Sequence, residues 1–135
     1  MAIALEVISG VIFIRFTGEL TGDELIAMAG ALARLESTFE VTPHRLADFS
    51  QITELQLNFE TLNRYRAIRE EALVKNPIKS ALVAPSDLQF GFARMHQILG
   101  SNARIEVEVF REHHAAYRWL GLDPGQIPAA APTAP

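Results

Sequence analysis

Val11-Ile12-Phe13-Ile14-Arg15-Phe16-Thr17-Gly18-Glu19-Leu20-Thr21-Gly22-Asp23-Glu24 is the stretch on which the fold turns. Val11 to Phe16 is almost continuously apolar and rich in β-branched residues, which suits a strand covered on both faces or one whose outer face meets a partner. Thr21 to Glu24 matches a capping box: the Thr21 hydroxyl accepts from the Glu24 amide while the Glu24 carboxylate reaches back. Such a cap is worth about 1 kcal/mol and marks a helix start.

Upstream, Ile3, Leu5 and Val7 alternate with Ala4 and Glu6, and Ser9-Gly10 offers a two-residue turn, so residues 3–17 read as a hairpin. Downstream, Leu25, Met28, Ala29, Leu32 and Leu35 share a helical face that ends between Ser37 and Glu40, before Pro43. Arg45 to Phe49 reads as a short strand leading into Ser50. Asn58 caps a second helix with Leu62, Tyr65, Arg69 and Ala72 on one face and Ile68 and Leu73 beside them. Asn76-Pro77 ends it, because the proline ring cannot continue the helix and restricts the residue before it. Ile78 to Ala84 is a strand, and Ser86 to Gln89 forms a second capping box. Leu88, Phe92, Met95 and Leu99 then recur as an amphipathic stripe, stopped by Gly100. Ile105, Val107 and Val109 alternate with Glu106 and Glu108, as in an edge strand protected by charge. A last helix runs from Glu112 to Gly121 and carries Ala116, Trp119 and Leu120.

The order β-β-α-β-α-β-α-β-α implies an α/β fold, with a mixed, mostly parallel five-stranded sheet, an N-terminal hairpin and about four helices. The expected domain is 2–122. The Pro/Ala-rich segment 123–135 is expected to be a tail without structure of its own.

Composition narrows the function classes. The 135 residues, 49% hydrophobic and 21% charged, fit one globular domain with a real core. With no cysteine, a disulfide framework, a cysteine nucleophile and cysteine-ligated metal are excluded. The net charge of −4 and the lack of a basic patch argue against nucleic-acid binding. No apolar run approaches the roughly 20 residues of a membrane span. The first nine residues lack the basic start of a signal peptide, so the expected location is the cytoplasm.

Three segments carry a resemblance. They are Val11 to Thr21, the strand-end stretch Leu46-Ala47-Asp48-Phe49-Ser50-Gln51-Ile52, and Phe90-Gly91-Phe92-Ala93-Arg94-Met95 together with the closing Ala115-Ala116-Tyr117-Arg118-Trp119-Leu120-Gly121. In order and spacing, over residues 3–121, the chain resembles the SpoIIAA-like proteins. These are related to the STAS domains of anti-sigma-factor antagonists and, more loosely, to the Sec14-like lipid-binding fold. The closing helix is common in a small bacterial branch of that group. The resemblance implies a small α/β domain that works by binding rather than by chemistry. Its best-known members carry a kinase-targeted serine after an aspartate at the start of the second helix. Here that region reads Leu57-Asn58-Phe59-Glu60-Thr61, without serine or glycine, so the phosphoswitch is not carried over. Thr61, Ser50 and Thr53 are the nearby hydroxyls.

The candidate cleft residues are Asp48, Ser50, Asn58, Phe90 and Arg94. Asp48 and Ser50 stand where a parallel strand ends, the edge at which α/β sheets bind ligands; the same carboxylate could instead only order the following turn. Arg94, inside an apolar helical segment, is a candidate partner for Asp48, or a snorkelling surface residue. Arg64, Arg66 and Arg69 read as a solvated face with i, i+4 glutamate partners. His44, His96, His113 and His114 lack metal-ligand spacing, and no catalytic or phosphate-binding motif occurs, so no metal or cofactor is expected. A histidine within reach of Asp48 or Ser50 in a cleft would favour an enzyme. The apolar surplus of Phe90, Phe92, Met95 and the strand Val11 to Phe16 points to a homodimer interface, a protein partner or a pocket for a small apolar ligand.

Overall fold

A computed structural model describes residues 2–71 and 74–127. Strand β2 (Val11–Thr21) is buried on both faces, as its near-continuous apolar run requires. Ile12, Ile14 and Phe16 enter one core, while Val11 and Phe13 enter another on the opposite side. Strand β1 (Ala2–Ile8) returns antiparallel to β2 through Ser9 and Gly10, whose φ values of 50° and 76° are the left-handed pair of a tight hairpin turn. Strands β3 (Arg45–Gln56), β4 (Ile78–Val83) and β5 (Ile105–Phe110) follow in parallel, so the sheet runs β1-β2-β3-β4-β5 with only the first pair antiparallel.

The helices divide unequally between the two faces. Helices α1 (Gly22–Glu36), α2 (Phe59–Glu71) and α3 (Asp87–Gly100) cover the first core with Leu25, Leu32, Tyr65 and Phe92. Helix α4 (His113–Trp119) alone covers the second, with Ala116 and Tyr117. Both expected capping boxes are formed, at Thr21–Glu24 and Ser86–Gln89. Asn58 also caps as expected, its Oδ1 accepting from the Thr61 amide at 2.9 Å. Where α1 begins, Gly22 lies so close to α2 that a Cβ there would stand 2.6 Å from the Thr61 side chain. Glycine is needed for this approach and not for its dihedral angles.

Four expectations are corrected. Strand β3 does not stop at Phe49 but extends to Gln56. Its register against β2 shifts twice, so that it holds extra residues opposite Phe16 and near Gly18 (φ 84°). Such bulges break the period-two pattern by which a strand is read in sequence. Beyond Asp48, β3 no longer pairs with β4. Instead the Gln89 side chain at the start of α3 donates to the Ser50 and Ile52 carbonyls at 3.1 and 2.9 Å.

Second, the stripe Leu88, Met95 and Leu99 is exposed, and α3 buries Gln89, Phe92 and Ala93. Polar Gln89 occupies a core position through its backbone bonds, which turns the buried face by about one residue. Third, Arg69 is not part of a solvated face but is buried against Glu36, as described below; Arg66 and Glu70 do pair, at 3.6 Å. Fourth, the segment expected to be a tail begins with structure. Pro124–Gln126 form a single 3-10 turn, and Ile127 is buried in the α4-side core. Ala72 and Leu73 of the expected α2 face, and the tail from residue 128, lie outside the described residues.

Candidate functional site

Alternation along β3 sends its charged residues to opposite faces. Leu46 and Asp48 face α4, whereas Arg45, Ala47 and Phe49 face the three-helix layer. Two polar centres result.

On the α4 side, Asp48 is buried, and its Oδ2 lies 2.9 Å from His113 Nε2 at the start of α4. Its Oδ1 accepts from the Ser50 amide at 2.9 Å. Burial pushes the Asp48 carboxyl up, but the bonds from His113 and Ser50 outweigh it and hold the carboxyl below its ordinary value. The bond to Asp48 raises the His113 imidazole, against its own partial burial. Burial, then the Asp48 charge, raises Tyr117 beside them.

This centre contains the histidine that would favour an enzyme, but in the wrong order. A nucleophile–base relay needs the imidazole between hydroxyl and carboxylate. Here the carboxylate stands between Ser50 and His113, and among the described residues no hydroxyl is hydrogen-bonded to the imidazole. The arrangement is competent to clamp α4 onto β3 where that strand parts from β4 and to hold a protonated imidazole at the surface.

Arg94 is not the partner of Asp48. It is exposed and donates to Gln97 Oε1 at 2.9 Å. Since α3 lies on the other face of the sheet, an apolar layer separates the two residues. Phe90 belongs to that other layer too, with the Arg111 guanidinium 4.1 Å from its ring centre. Asn58 is exposed at the far end of the lengthened β3. The structure thus brings together Asp48 and Ser50 and leaves Asn58, Phe90 and Arg94 apart from them.

The second centre escaped the sequence reading. Between α2, α3 and the starts of β3, β4 and β5 lies a cavity of about 170 Å³. Its apolar wall is Leu62, Phe92, Met95 and Leu99, and its polar wall includes Arg45, Arg69, Tyr65 and His96. Arg69 Nη2 bonds Glu36 Oε1 at 3.0 Å, while Arg45 Nε stands 3.6 Å from Glu36 Oε2, beyond a hydrogen bond. Burial and the Arg69 charge push the Arg45 guanidinium down to about 10, against the pull of Glu36. Burial, then the two arginines, push His96 down to about 4, so it is neutral near pH 7. Its Nε2 lies 3.4 Å from the Tyr65 hydroxyl. Arg45 at the head of a strand and Arg69 on an apolar helical face were the available signals: charges standing on core-facing positions.

Among the described residues no cluster of three histidines, aspartates or glutamates is placed to hold a metal ion, and no helix is long and apolar enough to cross a membrane.

The hairpin, the parallel remainder of the sheet and the three-to-one distribution of helices are those of a SpoIIAA-like α/β fold. Solved structures bear this out. An uncharacterized protein of the DUF3478 family with a SpoIIAA-like fold, from Shewanella loihica PV-4, superposes with a TM-score of 0.58 at 17% identity over 88% of this chain and 92% of that one. The anti-sigma factor antagonist SpoIIAA in its unphosphorylated form gives 0.52 at 19% identity, over 90% of this chain and 100% of that one. The Bacillus cell fate determinant SpoIIAA in its phosphorylated form gives 0.53 at 16% identity, over 87% and 99%. No protein-family model matches the sequence, and no curated protein is significantly similar to it.

Proposed function

We propose that this chain is a non-enzymatic STAS-like regulatory domain that acts by binding protein, including a second copy of itself, without the phosphoacceptor serine. The observation that carries the reading is the outer stripe of α3. Leu88, Met95 and Leu99 lie on one helical line, with Ile98 (73% exposed) beside it. They remain outside a core already closed by Phe92 and Ala93. An apolar stripe of this kind marks a contact surface. Phe59, 79% exposed at the start of α2, adds a second apolar contact point.

The test is a photo-crosslinker at Ile98 in the full chain, read in cells and, for the purified protein, alongside light scattering. Crosslinking to another protein or to a second copy, lost with Leu88→Glu, is the expected result. A strict monomer at micromolar concentration that crosslinks to nothing from this position overturns the proposal.

A second reading is favoured by the cavity between α2 and α3. The domain would carry or sense a small apolar molecule held against Leu62, Phe92 and Met95.

A further inference from the structure

The cavity holds more positive charge than it neutralises. Arg45 is 7% exposed, and the side chains of Arg69 and Glu36 are 11% and 7% exposed. Two buried guanidinium groups therefore face one buried carboxylate. Arg45 Nε and Nη2 and Arg69 Nη1 have no hydrogen-bond partner among the described residues, and the one open acceptor beside them is Glu36 Oε2, 3.6 Å from Arg45 Nε. The neighbouring titratable groups do not supply the missing charge. His96 and Tyr65 are neutral near pH 7, the former pushed down and the latter raised by burial. Arg66 and Glu70 at the rim pair with each other. A buried, unpaired cation is costly, and planar guanidinium donors match a carboxylate in both charge and geometry.

We infer that this cavity binds a small organic monocarboxylate, its carboxylate against the guanidinium groups of Arg45 and Arg69 in the polar wall and its apolar body against Leu62, Phe92 and Met95. One surplus positive charge fits a monoanion; a phosphate dianion would bring a second negative charge with no partner. A volume of about 170 Å³ fits a single ring or a short branched chain and not a long acyl chain. This inference rests on the second reading above, and adds to it the charge of the ligand and the residues that select it.

The test is calorimetric titration of the full chain at pH 7 with benzoate, with its neutral counterpart benzamide, and with inorganic phosphate. Benzoate is expected to bind saturably, with benzamide and phosphate at least about tenfold weaker, the worth of a charge-assisted hydrogen bond. Arg45→Gln should weaken benzoate by about tenfold or more and bring it level with benzamide. Because Arg45→Gln disturbs a buried cluster, Met95→Trp is the companion variant. It fills the cavity from the exposed side, leaves every charge in place and should abolish benzoate binding in a folded protein. Equal binding of benzoate and benzamide overturns the monocarboxylate while leaving an apolar-ligand cavity. Tightest binding of phosphate replaces it with an inorganic anion site. Binding of none of the three, or benzoate binding untouched by Met95→Trp, removes the cavity from both readings.

Discussion

His96 and His113 stand on opposite sides of the sheet, and their surroundings drive them in opposite directions. His113 meets a buried carboxylate and is raised; His96 meets burial and two arginines and is lowered to about 4. Both settings trace to one strand, since Arg45 and Asp48 are three residues apart on β3 and point to different faces. The α4 side is a closed pair, with both oxygens of Asp48 bonded, although the Arg15 charge also acts on His113. The α2–α3 side is an open cluster, with cationic donors unsatisfied. A matched pair serves to join elements, whereas an unmatched one is free to take a ligand.

The largest perturbation of this contrast is Glu36→Leu. It leaves Arg45 and Arg69 buried together without a counter-charge and is expected to cost about 3–5 kcal/mol in urea unfolding. Adding Arg45→Met and Arg69→Leu should restore most of that loss, since removing a whole buried cluster is close to neutral. If the triple variant is no better than the single one, the cluster is more than an electrostatic burden.

Next comes Gly22→Ala, expected to destabilise by about 1–3 kcal/mol, because the new methyl group overlaps Thr61 and pushes α2 from α1. Its effect on NMR shifts should appear at Tyr65 and His96 and leave His113 in place. Equal disturbance of both histidines would mean that the sheet does not separate the two sides.

His113→Gln should cost about 1 kcal/mol, since His113 is partly exposed and Asp48 keeps its bonds to Ser50. The change with pH is more telling than the size. The raised His113 contributes stability that is full below its ordinary value of 6.5 and is lost as pH rises through its folded value. The lowered His96 does the reverse, contributing above 6.5 and losing that contribution as pH falls toward about 4. His44 adds to the same limb, held down by burial and then by Lys79, whose amide donates to its Nδ1 at 2.8 Å. Asp48, held low, contributes above 3.8 and loses its contribution only in stronger acid. Stability should therefore peak near pH 6.5. His113→Gln should flatten the alkaline limb and His96→Phe the acid limb; an exchange of these effects would refute the two assignments.

How much of this was legible in sequence follows from the same contrast. Both capping boxes, the Ser9-Gly10 turn and the doubly buried β2 depend on neighbours within a few residues, and each is visible in the local pattern. The second half of β3 was not, because its two bulges shift the alternation and its second partner is a side chain rather than a strand. Asp48 and Ser50 were visible as a local pair, although the strand does not end at them. Their partner His113 was not, as 65 residues separate it from Asp48. Arg94 looked like that partner because it lies in an apolar run; only the division of helices between faces shows that it cannot reach. The Glu36–Arg45–Arg69 cluster joins three elements, and no local spacing ties a helix end to a strand start and a second helix.

The grip of Gln89 on β3 has one further consequence. It reads two backbone carbonyls, at Ser50 and Ile52, and no side chain. These two bonds are thus indifferent to side-chain identity, although Ile52 itself is held by the core it shares with Phe92. The exposed side chains along this reach of β3, such as Thr53 and Glu54, can be exchanged for new contacts while the helix above keeps its place.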